Sequence, residues 1–462
     1  MRPSLDIVGQ LERLHRIQNE KSLNMNVTWD PSADSIGEGI EARAKQTTMA
    51  AAVVFATALF NLVLCFVNTT LLGIGVNVVI GTEIALIVMA LSLIWYRGYA
   101  LYTIILMLTA YFFAVMLIRS EFDPKIARDL LIPIVFFFLG HYLGSFRSAG
   151  KLVTFLIFVA LGFALFEWLA LDTYLHYFDV IHYYAARGAE QSLEADPAAG
   201  LIIKGTDSSA GLYINGTRFE ARTLLPFLGE HRVSGIFMEP VSAGNFGAIV
   251  FAWVLLRDRH RVWTFIAKTL AIATILVLAD ARFGFYLCIA TVLIYLIAPV
   301  IRSTILYIAP FLAVIALATY AALSWQGSWD NTIAGRFLWA GHTIATLDAL
   351  QLLGLQTSDF FTSGFAGDSG YGYALVKVGI VGLAAIWALF VYSPALDADA
   401  WRFKNFIAFY IVFLLTISAS LFSIKTSALM WFLYGTLNNP DCIAWANPLP
   451  THADVNSESA NS

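Results

Sequence analysis

Apolar residues run along this chain in uninterrupted stretches of about 20 residues parted by short polar breaks, the pattern of helices that cross a bilayer rather than of a water-soluble core. A window of about 19 residues marks spans near 48–67, 72–95, 99–118, 129–145, 151–171, 241–257, 262–280, 282–301, 304–323, 371–393, 404–423 and 426–445. The expectation is an all-α, polytopic membrane protein of about 12 transmembrane helices. Residues 1–47 are polar and mixed in charge and predict a tail, with a short amphipathic helix around Ile7 to Ile17. Residues 48–445 form a single transmembrane domain, and the Ser/Asn-rich residues 446–462 a disordered tail. Two connections, about 172–240 and 324–370, are far longer than turns, and long connections in a compact protein usually carry function.

The sharpest break lies between Val262 and Ile301, where Asp280-Ala281-Arg282 interrupts an otherwise apolar run. Two spans fit there, so the charged tripeptide belongs to the hairpin that joins them, at the bilayer surface. A guanidinium in that position needs a partner. Phosphate fits its planar fork best, through two parallel hydrogen bonds.

Composition agrees with lipid as the main solvent, since 59% of the 462 residues are hydrophobic and 13% charged. The net charge of -4 offers no footprint for nucleic acid. Cys65, Cys288 and Cys442 are widely spaced, which indicates neither a disulfide framework nor a zinc site, and no cofactor or metal is expected. The first residues lack a signal-peptide pattern. Basic residues set the orientation: with the N-terminus cytoplasmic, the inner loops collect Arg97, Arg147, Lys151, Arg257, Arg259, Arg261, Arg302, Arg402 and Lys404. Both long connections and the Asp280 hairpin then lie outside.

Those outer segments hold the candidate chemistry. The first connection ends in HRVSGIFMEPVSAGNF, with Arg232 and Glu239 just ahead of the sixth span. The second holds AGRFLWAGHTIATLDALQLLGL, which predicts one amphipathic helix with Arg336 near its start, Trp339 and Leu350 on its apolar side and Gly354 as a stop. It closes with GDSGYGYALVKVGIVGL, placing Asp368, Ser369 and Tyr371 at the mouth of the tenth span. Arg232, Arg282 and Arg336 thus converge on one face from three segments. Plainer roles exist for each: arginines anchor helix ends, Asp280 and Arg282 can brace a hairpin as an ion pair, and Glu239, Asp368 and Ser369 can cap helices. Asp397-Ala398-Asp399 looks like the metal-binding pair of nucleotide-sugar transferases but sits in a short inner loop.

Taken together and in order, RVSGIFMEPVSAGNF, the ADARFG hairpin, GR followed by Trp339 and the Gly354 turn, and GDSGYGYALVKVGIVGL resemble the Wzy-type polysaccharide polymerases and the related O-antigen ligases. The resemblance covers about residues 200 to 395. It implies a GT-C-like glycosyltransferase of the bacterial inner membrane with two large periplasmic loops, acting on oligosaccharides linked to undecaprenyl pyrophosphate. A polysaccharide chain-length regulator and a flippase are the implied protein partners. Asp368-Ser369 stands where ligases carry a histidine-asparagine pair, which favours a polymerase of a surface or exopolysaccharide. On this reading Arg282 and Arg336 hold donor pyrophosphate, and Arg232 shares that anion site or the acceptor's. Glu239 and Asp368 are the candidate bases, with Glu239 preferred, and Asp280 orients Arg282. Tyr213, Phe219, Trp325, Trp329, Trp339, Ser369 and Tyr371 contact sugars or substrate. Two rivals come from other classes: a secondary transporter using Glu83, Glu167, Lys268 and Lys377 within the spans, and a non-catalytic assembly or flippase-accessory protein, for which the loop arginines would be dispensable.

Overall fold

A computed structural model describes residues 33–120, 124–184, 224–228, 231–327, 332–356 and 369–442. Residues 46–462 form one compact unit and residues 1–45 another, of which only 33–45 are described. The amphipathic helix expected near Ile7 to Ile17 and the tail 446–462 lie outside the described residues.

In chain order the helices are α1 (Ala33–Thr70), α2 (Val76–Ile94), α3 (Tyr99–Arg119), α4 (Pro124–Leu143) and α5 (Phe146–Leu169), then the short α6 (Leu171–Tyr177) and α7 (Val180–Tyr184). After the first long connection come α8 (Pro240–Arg257), α9 (Val262–Leu278), α10 (Arg282–Ile297) and α11 (Ser303–Ser324). The second holds α12 (Ile333–Ala345) and α13 (Ala349–Leu352), and the chain closes with α14 (Gly370–Tyr392), α15 (Ala398–Leu414) and α16 (Ile424–Leu437). Every apolar span of the sequence therefore has its helix. Among the described residues nine helices are long and apolar enough to cross a bilayer. The chain is a multi-pass membrane protein, all-helical over the described residues.

Three helices fall short of the expected twelve crossings: α9 and α15 have 17 residues each and α16 has 14. The last is about 21 Å long against a hydrocarbon core of about 30 Å. The expected span 404–423 stops at Leu414, and residues 415–423 form a turn containing the 3-10 helix Ala419–Phe422. Hydropathy misses this break because Ile417, Leu421 and Phe422 keep the average apolar. The hydroxyls make the turn feasible: Ser418 Oγ accepts the Ser420 amide at 3.0 Å, and Thr416 Oγ1 donates to the Phe413 carbonyl at 2.6 Å.

Short turns between consecutive helices alternate their ends, so both long connections, the Ala279–Ala281 hairpin and the 415–423 turn share one face. Cross-contacts agree, with the Tyr371 amide donating to the Leu415 carbonyl at 2.9 Å and Lys425 Nζ to the Phe237 carbonyl at 3.0 Å. At the other face His141 Nδ1 meets the Asn438 carbonyl at 2.6 Å, and Asn438 Oδ1 accepts the Leu396 amide at 3.2 Å.

Helices α8 and α16 are the hub, apolar on all sides and buried along nearly their whole length. The α8–α10 crossing is close because both carry glycine: a Cβ on Gly284 would stand 2.5 Å from the Gly244 carbonyl oxygen. This brings the ADARFG hairpin hard against the start of α8.

The single amphipathic helix expected in the second connection is two helices. Asp348 caps α13 in a reciprocal capping box with Gln351, ending the first helix at Ala345 and leaving Leu350 exposed rather than on an apolar face. Trp339 is buried as expected, and Gly354, at φ 72°, is the stop. Next to it α14 is broken at Gly379 (φ 75°). The carbonyls freed by the break are taken up by α3: Arg119 donates to Val376, to Lys377 at 3.3 Å and to Gly354 at 2.6 Å, and Tyr111 Oη to Val378 at 2.7 Å.

Candidate functional site

The segment His231–Glu239 crosses the long-connection face with a single 3-10 turn, Gly235–Phe237, as its regular structure, so its other amides need partners from elsewhere. Glu167, near the end of α5 and buried, supplies them. Its carboxylate accepts the amides of Ser234 at 3.0 Å and Gly235 at 2.6 Å, the Ser234 hydroxyl at 3.2 Å and His231 Nε2 at 3.0 Å. Tyr174 Oη donates to the Gly235 carbonyl at 3.1 Å. Gly235 and Met238 take positive φ, so the chain turns twice before Pro240 opens α8.

At the far end of the segment Glu239 is the N-terminal cap position of α8 by backbone, yet its side chain caps nothing. One oxygen, Oε2, meets Lys425 Nζ at 2.9 Å and the Ser242 hydroxyl at 2.7 Å, while Oε1 accepts from Tyr184 Oη at 2.9 Å. Burial alone would raise this carboxyl, but the Lys425 ammonium and the two hydroxyls outweigh it and hold the pKa at about 2. Such a group stays ionised and is a weak proton acceptor, which counts against the preference for Glu239 as base. Lys425 itself is buried, and the sequence reading passed over it because it falls in the two-residue gap between the expected spans 404–423 and 426–445. Three hydroxyls and a lysine in SIKTSA were the available signal.

The hairpin between α9 and α10 is tight, with Asp280 buried at φ 45°. Asp280 Oδ1 accepts the Leu224 amide at 3.0 Å, and its carbonyl accepts Arg232 Nη2 at 3.4 Å. Arg232 Nε donates to the Ala279 carbonyl at 3.2 Å, and the Val233 amide to Leu278 at 3.0 Å. Arg232 thus staples its own segment to the hairpin. The expected orientation of Arg282 by the Asp280 carboxylate is not seen, since that carboxylate turns to Leu224. Arg282 opens α10 half-buried, and its guanidinium makes no hydrogen bond or ion pair with any described residue.

Phe413 joins this hairpin to the second connection. Phe283, beside Arg282, stacks on it at 5.7 Å, and Phe337, beside Arg336, meets it edge-on at 5.7 Å. Arg336, in the first turn of α12, donates through Nη1 to the Ile417 carbonyl at 3.2 Å. Arg336 therefore meets the 415–423 turn, Arg232 meets the hairpin that precedes Arg282, and the Phe283–Phe413–Phe337 contacts link the hairpin to α12.

The other expected contacts divide. Trp339 packs toward Trp325 at 6.0 Å, and Trp325 lies flat on His342 at 3.7 Å, where burial lowers the imidazole pKa. Ser369 is buried and its hydroxyl accepts the Gly372 amide at 3.1 Å, capping α14. Tyr371 is buried with its hydroxyl on the Val412 carbonyl at 3.1 Å, so its ring serves packing rather than a sugar face. Asp368, Tyr213, Phe219 and Trp329 lie outside the described residues.

The charged groups inside the spans are tied down. Glu83 pairs with Arg128, which also meets Asp129 at 2.6 Å, and Tyr373 Oη donates to Asp129 at 3.0 Å. Lys268 pairs with Asp258 at 2.7 Å, and Glu167 holds the loop described above. The pair Asp397 and Asp399 splits, with Asp397 capping α15 through the Ala400 amide and Asp399 meeting arginines. Among the described residues no three His, Cys, Asp or Glu side chains group as metal ligands. No known family, characterised relative or solved structure matches the chain at a significant level.

Proposed function

We propose that the chain is a membrane glycosyltransferase that polymerises oligosaccharide repeat units carried on undecaprenyl pyrophosphate, at the periplasmic face and without a metal ion. The observation that carries this reading is the half-buried Arg282 guanidinium without a described partner, on a hairpin whose Phe283 shares the Phe413 ring with Phe337, the neighbour of Arg336. A cation in that position is costly unless an anion fills the space in front of it. Arg232, bonded to the carbonyls of Ala279 and Asp280, is then a positioning residue that fixes the hairpin from which Arg282 projects.

In the reaction the acceptor hydroxyl attacks the anomeric carbon of the donor, the glycosidic carbon–oxygen bond breaks, and undecaprenyl pyrophosphate leaves with the bonding electrons. Charge grows on the pyrophosphate as the bond lengthens. Fixed guanidinium groups facing it stabilise the transition state more than the ground state, by a few kcal/mol for a well-placed donor. The acceptor proton needs a carboxylate. With Glu239 held near 2 by Lys425, the reading assigns the proton to Asp368 and gives the Glu239–Lys425 pair, flanked by Tyr184 and Ser242, the hydrogen bonds to sugar hydroxyls.

Deletion of the gene followed by sizing of the carrier-linked glycans tests the reading. Single repeat units on the lipid, with no long polymer, are expected. Long polymer accumulating on the carrier would identify a ligase, and an unchanged carrier pool would remove glycan transfer altogether. Complementation by Arg282→Lys or Arg336→Lys should restore little polymer at normal abundance, because lysine offers a point charge and no fork.

A further inference from the structure

The face opposite the long connections carries a second convergence of arginines, with a different character. Arg257 ends α8, Arg259 lies in the turn to α9, and Arg402 stands in the first turns of α15, yet all three surround one carboxylate, Asp399. Arg402 Nη1 donates to Asp399 Oδ1 at 3.2 Å. Arg257 and Arg259 approach it only to 3.7 Å, close enough for attraction and too far for a hydrogen bond. Arg259 Nη1 also donates to the Leu256 carbonyl at 2.6 Å. The buried Arg402 Nε has no acceptor among the described residues.

Aromatic rings hold these guanidinium groups in place. Arg257 lies 3.9 Å over the Phe146 ring, and Arg259 and Arg402 lie 5.3 Å and 4.5 Å from the Tyr295 ring. The neighbouring carboxylates are occupied: Asp258 pairs with Lys268 at 2.7 Å, and Asp397 caps α15 through the Ala400 amide at 2.6 Å. Arg147, Arg261 and Arg302 stand at adjacent helix ends and add to the same sign. Positive charge and unused N–H donors are therefore concentrated between helices that meet the bilayer surface.

We infer that the Arg257–Arg259–Arg402 cluster binds the phosphodiester headgroup of an anionic phospholipid, a site independent of the glycosyl-transfer reading. A phosphodiester supplies a negative charge and two unesterified oxygens, and so matches what three guanidinium forks with one shared carboxylate lack. Its acyl chains would stay in the surrounding lipid, as at other basic pockets between membrane helices.

The test uses the full chain reconstituted in vesicles of phosphatidylglycerol and phosphatidylcholine in equal parts, re-extracted in mild detergent, with retained lipid counted by mass spectrometry. Retained phosphatidylglycerol should fall about fivefold for each guanidinium removed in Arg257→Gln and Arg402→Gln, while phosphatidylcholine stays constant. Asp399→Asn, which removes the shared counter-charge, should raise retention, and this variant keeps the test decisive if the arginine variants fold poorly. Arg97→Gln, a basic residue of the same face bonded instead to Gln46 at 2.6 Å, should change nothing. Equal retention in all variants would overturn the site. Release of the lipid by millimolar inorganic phosphate would overturn the lipid assignment and leave a site for free phosphate.

Discussion

The segment His231–Glu239 is held at its two ends by carboxylates that work in opposite ways. Glu167 reaches in from α5 and takes amide, hydroxyl and imidazole hydrogens, organising backbone that has no other partner. Glu239 belongs to the segment and is itself held, by an ammonium and two hydroxyls. The first is a template for a loop, whereas the second is a charge kept ionised at the point where the loop enters the hub helix. A carboxylate's neighbours, and not its depth alone, separate a structural anchor from a group available to a ligand.

Removing the template should have the larger effect. Glu167→Ala leaves the Ser234 and Gly235 amides buried without an acceptor, at about 1–3 kcal/mol each, and should lower stability by about 4 kcal/mol. Fluorescence-monitored thermal unfolding in detergent checks this, and an unchanged midpoint would show that the loop is held by other contacts. Glu167→Gln retains one acceptor oxygen and should fall between.

Breaking the pair at the other end comes next. Lys425→Met leaves a half-buried carboxylate without its counter-charge, a loss of about 2 kcal/mol, whereas Glu239→Gln with Lys425→Met should recover part of that loss. A double variant no better than the worse single one would deny the coupling. The same pair predicts an acid limb. With the folded carboxyl near 2 and the ordinary value at 4.5, its contribution is complete above 4.5 and is lost as pH falls toward 2. Glu239→Gln should flatten unfolding midpoints across that window, and an unaltered slope would place the acid sensitivity elsewhere. The smallest stability effect is expected at Arg282→Lys, below about 0.5 kcal/mol, because no described contact is lost. A shift of several degrees would mean that Arg282 supports the fold and not a ligand.

How much of this was legible in the sequence follows from what hydropathy measures. Long apolar runs bounded by Arg, Pro or Gly gave the helices, and the ADARFG interruption gave a hairpin that the Gly244–Gly284 contact then fixes in place. Average hydropathy overlooked the turn at 415–423, where hydroxyls satisfy the backbone locally, and with it Lys425, which falls in the gap between two expected spans. Glu167 was read as a possible ion path because a lone acid in a span carries no information about which backbone it serves. Arg282 and Arg336 were expected only to share a face. The ring of Phe413, far from both in sequence, links their neighbours Phe283 and Phe337.

The short length of α16 has an electrical consequence. It runs beside α4 and ends level with it, through the contacts of His141 with Asn438 and of Asn439 Nδ2 with the Gly144 carbonyl at 2.7 Å. With 14 residues against 20, all of its shortfall, about 9 Å at 1.5 Å per residue, falls on the long-connection side. Lys425 and Glu239 lie at the bottom of that step, about 9 Å below the level at which α4 begins. A charge brought to them from that face crosses the share of the transmembrane voltage that falls over this step, out of about 2.3 kcal/mol per unit charge for a full 100 mV. An anionic group therefore arrives with or against the resting potential according to which way the chain is inserted, and the sign of a voltage effect on its binding reports the orientation of the protein.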